Sequence, residues 1–333
     1  MNILFYCPFK FSLDSNKISS LGGIETLNIE LSKEIAKKKN KIFLATYCKK
    51  KNKKNNVINI PIDQIHREID KIKFDIVVSS NEPNIFDKFK SSRNILWMHN
   101  TLSIEKAFRK KKIFSILKNK IEVVFVSKYL MSKTTNFYMF NKKTIIDNFL
   151  SRKFYTNKIN FNRKPIIVWS VQREKGLDET IDMWVNKIYP VNKRIKFYIF
   201  GIEKNKYKRK IKFLKSKNIF LFGRVTKNIL KKYYEKSLAM ICLGYDETFC
   251  LNALEANSCG LPILTFGKTA LKDYSINNYN GYIVNNYTDL SKKIISISGS
   301  KINKKIILSS QRRSKNFNLD KIIRLWEKLF NKI

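Results

Sequence analysis

Two carboxylates, Glu247 and Glu255, share the segment Gly244-Tyr-Asp-Glu-Thr-Phe-Cys-Leu-Asn-Ala-Leu-Glu-Ala-Asn-Ser-Cys-Gly-Leu-Pro262. Apolar runs at Ala239–Cys242 and Pro262–Thr265 flank it, so it reads as strand, loop, a helix over Thr248–Ser258, then strand. Glu247 falls in the loop just before the helix. Backbone N–H groups at a helix start carry partial positive charge and hold a phosphate well. Glu255 lies two turns on, among Ala253, Leu254 and Ala256. A carboxylate packed there needs partners. Two kinds fit: the adjacent hydroxyls of a ribose, each charge-assisted bond contributing roughly 1.5–3 kcal/mol, or a neighbouring Lys or Arg.

A second strand, loop and helix is Trp169-Ser-Val-Gln-Arg-Glu-Lys-Gly-Leu-Asp178. Arg173, Lys175 and a helix opening at Gly176 would together stabilise a diphosphate leaving group; a solvated basic turn is the plain alternative. Leu21-Gly-Gly-Ile-Glu25 starts the first helix, and Gly22 and Gly23 would let the backbone approach a ligand closely. His99 ends an apolar run, as a ligand contact or as a structural histidine. Arg224 lies in Phe222-Gly-Arg-Val225.

Apolar runs of about five residues alternate with amphipathic stretches of about twelve, the pattern of βαβ units and parallel sheets. The first half predicts strands at Ile3–Cys7, Ile42–Ala45, Val57–Ile60, Asp75–Ser79, Ile95–Met98, Val123–Val126 and Thr144–Ile146, with helices at Ile24–Lys38, Ile104–Leu117 and Lys128–Phe137. The second predicts strands at Pro165–Trp169, Lys196–Phe200, Ile219–Phe222, Ala239–Cys242 and Pro262–Thr265. Its helices are Leu177–Ile188, Tyr207–Lys217, Lys227–Ser237 and Thr248–Ser258. Polar Ser151–Lys164 reads as a linker and Leu319–Phe330 as a last amphipathic helix. The expected domains are 1–150, 151–318 and a returning helix in 319–333. Two such sheets would face each other across a cleft, with the loops after their strands as the ligand-binding parts.

Glu247 and Glu255, Thr248-Phe249, Glu255-Ala256 and Gly260-Leu-Pro262 together resemble the E-x7-E motif of the family 4 retaining glycosyltransferases, the "group 1" family with the GT-B fold. The Arg173–Gly176 loop is similar to that family's R-x-x-x-x-K-G or R-G-L loop, with Ser170 where the longer form has Arg. Gly22-Gly23, His99, Phe125–Tyr129 and Phe222–Val225 also resemble family segments, whereas Ile146-Asp-Asn-Phe149 keeps only Asn148 of N-G-(V/I)-D. The resemblance implies an α/β fold of two Rossmann-like domains. The first would take the acceptor and the second the nucleotide sugar, and the last helix would cross back to the first. It implies donor contacts at Gly22, Gly23, Arg224, Thr248, Phe249 and Glu255, with Glu247 and His99 beside the transferred sugar and Arg173 and Lys175 on the diphosphate. The implied reaction moves a sugar from a UDP or GDP sugar to a hydroxyl with retention by a front-face mechanism. No metal or cofactor is expected, and the implied acceptor is a cell-envelope glycan or lipid-linked glycan, as in lipopolysaccharide synthesis. A GT-B epimerase or hydrolase of nucleotide sugars is the near alternative.

The 333 residues suit two domains, and 44% are hydrophobic, as in a globular protein. No apolar run approaches a bilayer span. The start MNILFYCPF reads as a buried strand, not a signal peptide. Five cysteines without a CxxC pair read as free thiols in a cytosolic protein. The net charge of +41 raises a nucleic-acid binder as the rival class, yet only twelve of 67 basic residues are Arg and Lys is spread along the chain. Compositional drift toward Lys, Asn and Ile accounts for most of it. Modest docking on an anionic membrane face is the expected partner effect, with no specific nucleic acid. The basic runs Lys37–Lys41, Lys49–Lys54 and Arg109–Lys112 assign that docking to the first domain. Co-sedimentation should accordingly show more protein on anionic than on neutral vesicles, falling steeply with salt and with Arg109–Lys112 changed to Gln. Equal partitioning would leave the charge compositional.

Overall fold

Short runs of Val, Ile, Leu and Phe form the strands of two parallel sheets. The computed structural model describes residues 1–9, 22–48, 50–69, 72–89, 91–156, 158–300 and 303–331. Leu21 and Lys49 lie outside the described residues. The chain divides into two units: Met1–Ser151 with Leu319–Ile333, and Arg152–Asn318.

The first unit holds β1 (Asn2–Tyr6), β2 (Lys41–Thr46), β3 (Asn52–Lys54), β4 (Val57–Pro61), β5 (Phe74–Ser80), β6 (Ser91–Met98), β7 (Ile121–Phe125) and β8 (Lys142–Ile145). Their order is β3-β4-β2-β1-β5-β6-β7-β8. Strands covered on both faces must be apolar nearly throughout, and β7 is buried at every position. The chain builds outward from β1 in one direction and then, from β5, in the other, so the topological switch lies between β1 and β5. Asn28, fully buried on the helix Gly23–Ile35, fixes that helix to the switch by donating from Nδ2 to Ser80 Oγ (2.9 Å). The lysine-rich β3 was not anticipated; it pairs antiparallel with β4 at the sheet edge, where charged side chains are well placed.

Two helices are shorter than the periodicity predicts. Ile104–Leu117 is two helices, Ile104–Arg109 and Lys112–Lys118, broken by left-handed Lys111 (φ 54°). Ala107 and Ile116 would lie about half a turn out of phase on one helix; the break buries both. Lys128–Phe137 likewise resolves into the helix Lys128–Ser132 and a 3-10 turn at Asn136–Tyr138.

The terminal helix Leu319–Phe330 packs within the first unit, Trp326 against Trp97 (4.9 Å) and Phe330 against Phe5 (6.5 Å). Arg93 of β6 ties it down. Its Nε and Nη2 donate to Glu122 Oε1 and Oε2 (2.7 and 2.9 Å), and Nη1 donates to the carbonyls of Leu329 and Phe330 (2.9 and 3.0 Å). One guanidinium therefore neutralises a carboxylate buried in β7 and caps the carbonyl end of the last helix, where positive charge is favourable.

The second unit holds β9 (Ile166–Trp169), β10 (Lys196–Phe200), β11 (Ile219–Gly223), β12 (Ala239–Ile241), β13 (Ile263–Thr265) and β14 (Gly281–Ile283), in the order β11-β10-β9-β12-β13-β14. Every pairing is parallel, and the switch lies between β9 and β12. β14 and the helices Tyr287–Gly299 and Lys304–Ser314 were not anticipated; β14 has three residues, and the helices' apolar positions are thinned by Lys and Ser. The expected helix Leu177–Ile188 continues past Met183 as a π turn, with Trp184 stacked on Phe197 (4.8 Å). Tyr207–Lys217 is α-helical only over Ile211–Ser216.

The polar segment Ser151–Lys164 is not a free linker. Phe154 and Arg163 are buried in the second unit. Arg163 donates to the carbonyls of Tyr234 (2.6 Å) and Cys259 (2.8 Å). These end the helices Lys227–Tyr234 and Leu251–Ser258, whose dipoles stand in for a counter-anion. Burial still pushes the Arg163 guanidinium down to about 10. Ser151 belongs to the first unit, where its hydroxyl donates to Glu30.

The Arg93–Glu122 fork gives a stability test. Arg93→Met strands a carboxylate in β7 and uncaps the last helix, which should cost about 3–5 kcal/mol. Thermal unfolding followed by circular dichroism should show the loss, and Arg93→Met with Glu122→Leu should recover much of it. A neutral single variant would show the fork to be incidental.

Candidate functional site

Sheet order brings the chemistry of the second unit together. β9 and β12 are neighbours, so the loops at their carboxyl ends meet at the switch point. The first loop carries Arg173 and Lys175 in a 3-10 turn, and the second carries Glu247. Lys175 Nζ lies 2.7 Å from Glu247 Oε1, with the two side chains 16% and 10% exposed. The ammonium also donates to the Asp246 carbonyl (3.3 Å). Asn252 Nδ2 donates to the Ser170 carbonyl (2.5 Å), a second tie between the loops.

Glycine is required at two turns here. Gly176 has φ 98°, and a Cβ would meet Leu243, Tyr245 and Tyr287 at 2.8–2.9 Å. Gly244 has φ 97°, and a Cβ would lie 2.9 Å from the Lys268 carbonyl. Both need the left-handed region and a close approach. Gly176 caps the helix Leu177–Met183 rather than forming its first turn.

The helix expected from Thr248 starts at Leu251, because Cys250 is left-handed (φ 66°). Thr248 and Phe249 are therefore loop residues, and Glu247 does not sit immediately at a helix N-terminus. Phe249 is buried against Phe317 (5.5 Å), which explains why the loop folds inward before the helix begins.

Arg173 is engaged beside the pair. Its Nη2 lies 2.6 Å from Asp178 Oδ2, its Nε donates to the Tyr207 hydroxyl (3.1 Å), and its guanidinium stacks over the Tyr207 ring (5.4 Å). The Tyr207 hydroxyl in turn donates to Asp178. Lys175 is thus bound directly to Glu247, whereas Arg173 is oriented by a partner carboxylate.

Glu255 is buried on the helix Leu251–Ser258, and Lys227 Nζ donates to both its oxygens (2.6 and 2.7 Å). The pairing with a neighbouring cation is present. The sequence reading missed Lys227 as that partner. Thr226 caps its helix through a bond from the Ile229 N–H, which puts Lys227 in the first turn. A cation there opposes the helix dipole, and this misplacement is the signal that an acid lies opposite. Arg224 is exposed in the loop after β11, at the same end of the sheet.

In the first unit, Gly22 precedes the helix Gly23–Ile35 in extended conformation (φ −67°) that any residue adopts. His99 follows β6, buried against Trp97 (4.5 Å). Burial pushes its imidazole down to about 3, so it is neutral at pH 7. Its backbone N–H donates to Asn81 Oδ1 (2.7 Å), and the Asn81 carbonyl accepts from Lys112 Nζ (2.6 Å).

Among the described residues, Cys242, Glu247 and Cys250 offer ligand atoms within 4.8 Å of one another. The two sulfurs are 3.1 Å apart. The thiol of Cys250 is held well above its usual range by its hydrogen bond with Cys242 and by burial. A metal would have to displace thiol protons and compete with Lys175 for Glu247.

Residues 151–301 match the family of glycosyl transferases group 1. No curated protein matches the chain's sequence. Solved structures match over nearly its full length. A sucrose-phosphate synthase from Thermosynechococcus elongatus is 14% identical over 99% of this chain and 98% of its own, with a TM-score of 0.74. A glycosyltransferase from Rickettsia africae is 17% identical over the same shares, with a TM-score of 0.74. Anabaena HepE, solved with UDP-glucose, is 12% identical over 100% of both chains, with a TM-score of 0.70. The fold is GT-B, with two Rossmann-like units, and the part that carries Lys175, Glu247 and Glu255 matches the glycosyl transferases group 1.

Proposed function

We propose that the chain transfers a sugar from a nucleoside diphosphate sugar to a hydroxyl acceptor, with retention at the anomeric carbon. The observation that carries this reading is the Lys175–Glu247 pair at the switch point of the second unit, inside the group 1 match. The transfer breaks the bond between the anomeric carbon and the diphosphate oxygen and forms one to the acceptor oxygen, whose proton passes to the leaving phosphate; negative charge grows on the diphosphate oxygen as the first bond breaks. Lys175 supplies fixed positive charge there, and Arg173, oriented by Asp178, adds a second cation. Glu247, held by Lys175, contacts the transferred sugar. Glu255 takes the ribose hydroxyls, with Lys227 keeping the carboxylate charged and in place. Neutral His99 serves as a hydrogen-bonding group, not as a proton donor at pH 7. The first unit takes the acceptor.

The donor and acceptor classes follow by likeness. HepE is solved with UDP-glucose, and another match, WaaG (TM-score 0.72, 12% identical), is a glycosyltransferase involved in lipopolysaccharide biosynthesis. A UDP or GDP sugar and an envelope glycan on a lipid carrier are therefore the substrates proposed here. The reaction needs no metal in this reading because Lys175 and Arg173 supply the charge. A thermal-shift screen with UDP, GDP and ADP sugars tests the donor; no shift with any of them would overturn the function.

The two cations should not be equal. Lys175→Ala should lower turnover by about 100-fold, the scale of one lost preorganised contact. Arg173→Ala should cost less, because Arg173 is 39% exposed and solvent screens its charge, whereas Lys175 is 16% exposed. Steady-state kinetics on the identified donor would show the ranking, and equal effects would refute the division of roles.

The ribose contact has its own test. Glu255→Gln should weaken binding of the free nucleoside diphosphate by at least about tenfold, as expected for a lost charge-assisted hydrogen bond. Calorimetry measures it, with circular dichroism confirming the fold. Unchanged affinity would leave Glu255 as the structural partner of Lys227 alone.

A further inference from the structure

We propose that the second unit carries a phosphate-binding pocket separate from the donor loops. A pocket of about 480 Å3 is lined by Lys164, Lys196, Lys232 and Lys236 together with Tyr198 and Tyr233. Lys164 precedes β9 and Lys196 opens β10, so the pocket sits at the amino ends of these strands. The donor loop follows the carboxyl end of β9. Four residues of strand separate the two ends, about 13 Å at the usual rise. The two sites are on opposite edges of one sheet.

The charge of this pocket is not matched by the protein. Among the described residues, the ammonium groups of Lys164, Lys196, Lys232 and Lys236 make no ion pair. That contrasts with Lys175 and Lys227, each on a carboxylate. Four like charges around one concavity repel one another, and a multiply charged anion entering it would relieve that repulsion.

The walls narrow the chemistry. Lysines bind phosphate as point charges without demanding the planar geometry of a carboxylate fork. Tyr198 and Tyr233, with rings 5.6 Å apart at 72°, give the pocket an aromatic flank that suits the carbon face of a sugar or inositol. Ile229, 42% exposed, adds an apolar edge. The ligand class is therefore a phosphate ester carrying two or more negative charges, either a free phosphate ester or the headgroup of an anionic phospholipid.

Lysine acylation read by mass spectrometry on the full chain tests the site residue by residue. Inorganic pyrophosphate or vesicles of phosphatidylcholine with phosphatidic acid should slow modification of Lys164, Lys196, Lys232 and Lys236 about fivefold. Lys212, exposed on the helix Ile211–Ser216, should not change. Protection by pyrophosphate identifies a free phosphate group as sufficient; protection by vesicles alone identifies the lipid headgroup. Lys232→Glu with Lys236→Glu should abolish protection at Lys164 and Lys196 while leaving the circular dichroism unchanged. Uniform slowing of all lysines, no slowing with either probe, or protection by single-stranded RNA alone would overturn the pocket.

Discussion

The site of the second unit depends on one ion pair between loops that are far apart in sequence. Lys175 and Glu247 meet at 2.7 Å because β9 and β12 are hydrogen-bonded neighbours although three helices and two strands intervene between them. A parallel sheet cannot bring consecutive strands together without a crossover, and the reversal of strand order leaves the two central loops unobstructed by a crossover helix. The acid would be costly in a place this enclosed without its cation. Gly176 and Gly244 give each loop the left-handed turn it needs to reach the other. Fold and chemistry are coupled here: a change that moved either strand end would leave both charges without partners.

The two units solve a common problem with the same device. Parallel sheets flanked by helices leave helix carbonyl ends inside the structure, and those carbonyls need donors. Arg93 serves the first unit by bridging Glu122 to the end of the last helix. Arg163 serves the second by joining two helix ends and, among the described residues, pairs with no carboxylate. Guanidinium suits both positions because its planar fork offers several donors at fixed angles. At Arg93 an ammonium would bring three donors to four acceptors.

The sequence showed these elements unequally, for physical reasons. Leu319–Phe330 was legible because Leu319, Ile322, Ile323, Trp326 and Leu329 keep one helical face, although Leu325, an apolar residue of the same run, is exposed. The central strands were legible because burial on both faces forces continuous apolar runs. The break at Lys111 was hidden, since no Gly or Pro marks it and only the packing of Ala107 and Ile116 demands it. Cys250 hid the late start of the helix Leu251–Ser258 in the same way: its left-handed backbone is set by inward packing of Phe249, not by its own preference. At the site, Glu247, Glu255, Arg173 and Lys175 stood out by type and spacing. Lys227, Asp178 and Tyr207 did not, because each acts through a partner distant in the chain or inconspicuous in sequence.

In a chain with 67 basic residues and 26 acidic ones, a lysine carries little information by itself. An acid carries more, because so few are present. Glu82, Glu122, Asp178, Glu247, Glu255 and Glu327 each meet a Lys or Arg. Those contacts fix the loop after β5, the start of β7, the loops after β9 and β12, the helix Leu251–Ser258 and the last helix. The acids therefore mark the points where the fold constrains charge, and the cations they select are the ones with defined positions. Other lysines pair locally, as Lys37 does with Glu34, or donate to a carbonyl, as Lys231 does to that of Tyr155. At the amino ends of β9 and β10 geometry does gather four of them, and there the excess charge becomes a property of a place rather than of the composition.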